Sequence, residues 1–158
     1  ESGSSCAVVP SLDEVSLLAI IKLAEEENDC TGVVDAMREG ASSAVVAKAG
    51  CSALTRLTVD VDNRKRIGEA GGIAMILSTM EKHGASSAEV AQYGCAALST
   101  LAVNDDNRVT IAGAGGVRSV MDAMEHHKDV ALVQQFGCNA LSDLAQNGKK
   151  NIYIESIR

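Results

Sequence analysis

Aromatic residues and proline are nearly absent from this 158-residue chain. It has no tryptophan, two tyrosines and one phenylalanine, so aromatics make up 2% of its residues. A core without them is built from aliphatic, alanine, methionine and cysteine side chains, which suits closely packed helices because small side chains let helix axes approach. The single proline, Pro10, precedes the first predicted helix, so we expect no helix to be broken from within.

Long hydrophobic runs and basic stripes are also absent. No stretch is long enough to span a membrane, so we predict no membrane-spanning segment. Residues 1–40 carry 9 acidic and 2 basic residues, whereas the rest of the chain carries 12 of each. This distribution disfavours nucleic-acid binding. We interpret the acidic cluster at 25–29 as a solvated helix end, with a docking patch for a basic partner as the alternative.

Disulfides are not expected, although the chain has five cysteines. Cys51, Cys95 and Cys138 each follow a glycine and recur at one position of a repeated motif, which is typical of small buried residues. Equivalent positions in a repeat array lie too far apart to pair. This usage indicates a reducing intracellular compartment, with the cytoplasm favoured and an organelle, after removal of a targeting peptide, as the alternative.

Three stretches of the chain are copies of one another. The motif Gly-Cys-x-Ala-Leu begins at Gly50, Gly94 and Gly137, at intervals of 44 and 43 residues. Three methionines follow the same period, at positions 37, 80 and 124. A fixed period of this length indicates a repeat array and not a domain with one centre.

Each repeat is predicted to contain a short, a medium and a long helix. The first predicted helix has Ser11 as N-cap in a capping box with Glu14. Its apolar face is predicted to contain Leu12, Val15, Leu18, Ala19 and Leu23. We expect residues 1–10 to be a linker or disordered, followed by a solenoid over 11–158. The solenoid divides into a partial first repeat (11–59), a second (60–103), a third (104–147) and the start of a fourth (148–158).

The period, the three-helix unit, the Gly-Gly pairs at 71–72 and 115–116 and the Ala-Leu-x-x-Leu of the long helix resemble the armadillo repeat. The resemblance covers residues 12–158 and implies an all-α, right-handed superhelix. It further implies a non-enzymatic scaffold that binds extended peptides or protein surfaces along a concave groove lined by the long helices. Importin-like members place Asn and Trp at fixed positions of that groove. Those positions hold Arg56, Thr100 and Asp143, and Ser52, Ala96 and Asn139, so the resemblance does not imply binding of basic nuclear import signals.

The candidate protein-binding residues lie at helical spacing on one face of the three long helices. They are Lys48, Ser52, Arg56, Gln92, Ala96, Thr100, Gln135, Asn139 and Asp143. A solvated face of an amphipathic helix is the alternative interpretation of each single residue. A second candidate surface is the C-terminal end, where Ile152, Ile154 and Ile157 stand in place of a polar cap.

Catalytic chemistry is not indicated. His83, His126 and His127 have no cysteine or carboxylate at ligand spacing, so we predict no metal and no cofactor. The cysteines of the motif have no histidine base on the same helix face, and the glycine pairs do not form a phosphate loop. We therefore predict a non-enzymatic scaffold, or a subunit of a larger assembly, whose partner is another protein. The alternative is an adaptor that recruits an extended peptide into the groove.

Overall fold

The computed structural model describes residues 12–146 as a stack of helices. Within that range it contains nine α-helices and one π-helical turn, so the all-α repeat solenoid is confirmed. The helices are α1 (Glu14–Glu26), α2 (Cys30–Glu39), α3 (Ala44–Leu57), α4 (Val61–Glu69), α5 (Gly72–Thr79), α6 (Ala88–Leu101), α7 (Asp105–Gly113), α8 (Gly116–His126) and α9 (Ala131–Ala145), and the π-helical turn Met80–Gly84 continues α5. The expectations for residues 1–10 and 148–158 lie outside the described residues.

The helices follow the predicted order of short, medium and long. Two full units are present, α4–α5–α6 and α7–α8–α9, and the front unit is reduced to α2 and α3. The long helices α3, α6 and α9 stack side by side, and α1 packs on α3 as a further layer. None of the helices in residues 12–146 is long and apolar enough to cross a membrane.

The first helix differs from the prediction in its cap and its buried face. Asp13, and not Ser11, is the N-cap, and its carboxylate accepts a hydrogen bond of 2.8 Å from the Ser16 amide. Glu14 instead accepts from the Ser43 hydroxyl at the start of α3. An acceptor directly before the first helical residue satisfies the free amides of the first turn, so the predicted capping box is wrong.

The predicted apolar face of α1 is also largely wrong. Its buried residues are Leu17, Ile21 and Ala24, whereas Val15 and Leu23 are exposed. Apolar residues surround most of this helix, so periodicity alone does not select a face. Packing against α2 and α3 selects it.

Methionine–glycine contacts hold the medium helix against the long helix within each repeat. The methionine side chain lies over the glycine, in space that a Cβ atom would otherwise fill. A Cβ built on the glycine would come within 2.2 Å of Met37 Cγ at Gly50, 2.6 Å of Met80 Cγ at Gly94 and 2.5 Å of Met124 Cγ at Gly137. The close helix crossing expected from the recurrent glycine is therefore present, and the methionine series accounts for it.

Buried asparagines tie the short helices to the layer before them. The Asn63 side-chain amide donates to Asn28 Oδ1 (2.6 Å) and to the Leu57 carbonyl (3.0 Å). The Asn107 amide donates to the Arg64 carbonyl at 2.7 Å. Because these polar side chains are almost fully buried, their hydrogen bonds offset the cost of removing them from water.

Candidate protein-binding surface

The nine predicted binding residues, named here the long-helix strip, differ in exposure. Arg56, Gln135 and Asn139 are exposed. Ser52 and Ala96 are buried, since Ser52 is only 9% exposed and Ala96 4%. Their side chains are short, and larger neighbours cover them. The remaining members, Lys48, Gln92, Thr100 and Asp143, are half-buried.

A pocket of about 440 Å³ lies where α1, α3 and α6 meet. Three members of the long-helix strip line it: Lys48, Ser52 and Arg56. The other lining residues are mostly apolar and include Leu18, Ile21, Val45 and Ala49, together with Lys22, Glu25 and Tyr93. The pocket therefore combines an apolar wall with a charged rim.

An ion pair between Arg56 and Glu25 closes one side of this pocket. Arg56 Nη2 donates to Glu25 Oε2 at 2.6 Å, and Arg56 Nη1 donates to Ser52 Oγ at 2.7 Å. The hydrogen bond from Arg56 lowers the pKa of Glu25, although partial burial opposes this shift. One residue of the acidic cluster is thus a structural link between α1 and α3, whereas Glu26 and Glu27 remain exposed.

Other members of the strip also connect neighbouring long helices. Lys48 Nζ donates to Glu89 Oε1 at 2.6 Å, from α3 to α6. Thr100 Oγ1 lies 2.7 Å from Thr58 Oγ1, and Asp143 accepts from the Ser99 hydroxyl. Because these side chains hold the layers together, replacing them would change packing as well as any binding.

Two histidines, His83 and His127, link successive turns. His83 Nε2 lies 3.0 Å from the Ala41 carbonyl oxygen, and His127 Nε2 lies 2.6 Å from that of Gly84. These equivalent contacts join the turn before one long helix to the corresponding turn of the preceding repeat. Across residues 12–146, no group of three or more His, Cys, Asp or Glu side chains is arranged to hold a metal ion.

The last described repeat exposes positions that are buried earlier. Cys51 and Cys95 are fully buried, and burial raises the pKa of each thiol to about 12. Cys138, at the equivalent position, is exposed. On the medium helices, Met121 is 55% exposed, whereas its counterparts Val34 and Leu77 are buried. Interior residue types therefore face outward at this end of the described stack.

Sequence reasoning identified the α3 side of the pocket but missed the α1 and α6 sides. Leu18 was assigned to a core face, and Ile21, Lys22, Val45 and Tyr93 were not considered as lining. A signal was available in the 44-residue spacing, because Tyr93 is the repeat counterpart of Ala49 and so shares its face.

One comparison with known proteins gives a match. A family model described as LRRK2 ARM repeat matches residues 9–156, nearly the whole chain. No curated protein and no solved structure matches. The family match agrees with the armadillo resemblance drawn from the glycine, cysteine and methionine periods.

Proposed function

The chain belongs to the LRRK2 ARM repeat family, and on that basis we propose that it is a non-enzymatic scaffold whose long-helix strip binds a partner protein. Armadillo repeats are protein-interaction modules, which supports a protein partner. The observation that carries the choice of surface is the pocket between α1, α3 and α6, lined by Lys48, Ser52 and Arg56.

The chemistry of this pocket suits a side chain from a partner. Its volume of about 440 Å³ falls within the range of ordinary binding pockets. Leu18, Val45 and Ala49 offer apolar surface, and burying such surface is the main favourable contribution to protein association. The rim charges of Lys48 and Arg56 already have partners in Glu89 and Glu25, so a bound apolar side chain does not leave these two charges unpaired.

An adaptor that recruits an extended peptide is the second candidate. The pocket crosses three successive helix layers, and the exposed amides of Gln135 and Asn139 continue the same strip on α9. Such amides can donate to and accept from a peptide backbone. The armadillo asparagine and tryptophan positions are filled by other residues, so a basic import signal is not the proposed ligand.

A charge placed in the pocket tests this proposal. Val45 lines the pocket and is 50% exposed. Val109 on α7 is equally exposed, at 51%, but lies outside the pocket. The variants Val45→Asp and Val109→Asp therefore form a matched pair. Proteins captured from native extract are compared by quantitative mass spectrometry. We expect Val45→Asp to reduce the capture of specific partners about tenfold or more, with Val109→Asp equal to the wild type.

Circular dichroism establishes that both variants keep their helicity. If Val45→Asp captures the same proteins in the same amounts as the wild type, the long-helix strip is not the binding surface. The exposed end at Cys138 and Met121 then becomes the candidate, consistent with a subunit of a larger assembly.

A further inference from the structure

A second groove lies on the medium helices, separate from the long-helix strip. It has a volume of about 580 Å³ and runs between α5, with its π-helical turn, and α8. Its walls are small side chains: Ala74 and Ser78 on one side, Ser119 and Ala123 on the other. Leu77 and Met80 also line it.

Two side chains that line the groove are smaller than their counterparts one repeat earlier. Ser119 and Ala123 of α8 are the repeat counterparts of Met75 and Thr79 of α5. Met75 packs against the core, and Thr79 is buried. A methionine side chain at position 119 would therefore occupy part of the groove.

Among the residues that line the groove, the carboxylate of Glu81 has no ion-pair partner within residues 12–146. Glu81 is exposed. Asp122 lies across the mouth and is compensated by Arg118, with Arg118 Nε 3.5 Å from Asp122 Oδ2. His126 places Nδ1 2.7 Å from the Asp122 carbonyl oxygen, and Lys82, exposed, follows Glu81 in the chain.

We propose that this groove binds an amphipathic helix of a partner protein that inserts a leucine- or methionine-sized side chain and presents a lysine or arginine to Glu81. The small walls allow a helix to approach closely. A groove between two helices commonly binds such a helix, and Ala74, Ala85 and Ala114 give this one exposed apolar surface. The charge at the mouth selects a basic helix over an acidic one.

The most direct test replaces Ser119 by methionine, the residue at the equivalent position of the preceding repeat, so that its side chain fills part of the groove. The probe is a fluorescein-labelled amphipathic peptide of about 16 residues, with leucines at helical spacing and flanking lysines, titrated by fluorescence anisotropy. A second peptide carries glutamate in place of every lysine. The protein variants are Ser119→Met and Glu81→Gln, with Ser42→Met at an exposed turn and Glu125→Gln at the position equivalent to Glu81 as controls.

We expect the lysine peptide to bind. The affinity of the glutamate peptide should be lower by a factor of about ten or more. Ser119→Met should weaken the lysine peptide about tenfold or more, and Glu81→Gln about two- to fivefold. Both control variants, and Val45→Asp in the pocket between α1, α3 and α6, should bind like the wild type. Failure of this proposal is therefore distinct from failure of the strip proposal.

Four outcomes overturn the proposal. The lysine peptide shows no saturable binding, or it binds no better than the glutamate peptide. Ser119→Met, with unchanged helicity and melting temperature, leaves the affinity unaltered. A dimer seen by light scattering that Ser119→Met dissociates would assign the groove to a second copy of this chain instead.

Discussion

Met80 lies so close to Gly94 that a larger residue fits at position 94 only if the methionine side chain shifts. A Cβ atom at Gly94 would lie 2.6 Å from both Cγ and Sδ of Met80, which is itself buried. The same relationship joins Met37 to Gly50 and Met124 to Gly137. It sets how closely the medium and long helices of one repeat approach each other.

Replacing Gly94 by alanine should therefore destabilise the protein. Overpacking against Met80 costs about 1–3 kcal/mol, and the gain in helix propensity of about 1 kcal/mol offsets only part of it. Urea unfolding measures the free energy of unfolding. Gly113→Ala is the control, because a Cβ atom at Gly113 would meet no other atom within 4 Å and the change should stabilise by about 0.4–1 kcal/mol. Equal effects at both sites would contradict the close contact.

Replacing Glu25 by glutamine should lower stability at neutral pH but not in acid. The hydrogen bond from Arg56 keeps the pKa of Glu25 below its ordinary value in the folded protein. The stability it provides is present above the ordinary carboxyl pKa and is lost as the pH falls through the folded-state pKa. We expect Glu25→Gln to cost about 0.5–1 kcal/mol at pH 7, with the two melting curves converging in acid.

The neighbouring Glu26→Gln serves as the control for the Glu25 prediction. Glu26 is exposed and makes no ion pair within the described residues. We expect a change of less than about 0.5 kcal/mol at any pH. A difference between wild type and Glu25→Gln that persists at low pH would show that the ion pair is not its source.

Cys138 should react with thiol reagents far faster than its repeat counterparts. Cys51 and Cys95 are fully buried with a thiol pKa of about 12, whereas Cys138 is exposed. In a Cys6→Ser background, Ellman's reagent should show one rapid phase, corresponding to one thiol per chain, and further replacement of Cys138 by serine should remove it. A rapid phase that survives this change would mean that another cysteine carries the accessible thiol.

Asn107→Ala should be among the costly polar substitutions. Its side chain is 5% exposed and donates to the Arg64 carbonyl, so removal deletes this hydrogen bond and leaves empty the space that the amide filled. The expected cost is about 1–3 kcal/mol of unfolding free energy by thermal denaturation. Asn139→Ala, at an exposed position, should change stability by less than about 0.5 kcal/mol. Equal costs would mean that Asn107 contributes nothing through burial.

The repeat architecture could be predicted because it depends on spacing alone. Gly50, Gly94 and Gly137 recur at a period typical of stacked helical units, and the family match agrees with it. The order of short, medium and long helices followed from the same period. Spacing could not predict which face of α1 is buried, because apolar residues occur around most of this helix. Leu17 is buried, whereas Val15 is exposed.

The candidate sites were less predictable, because they depend on contacts between distant residues. Helical spacing placed Arg56 on the strip, but its partner Glu25 lies 31 positions away on α1. The groove between α5 and α8 depends on the small size of Ser119 relative to Met75, which matters only once the two helices are known to be neighbours. A difference in side-chain size between repeats can be related to a groove only when the neighbouring helices are known.

The methionine–glycine contacts lie inside single repeats and do not cross between them. A recombination event that duplicates or deletes residues 60–103 as a block would carry Met80 and Gly94 together and leave the other two pairs intact. A crossover between α5 and α6 would instead place the methionine of one repeat against the long helix of another repeat. A repeat unit that is inserted or deleted without breaking a methionine–glycine pair therefore begins at the short helix.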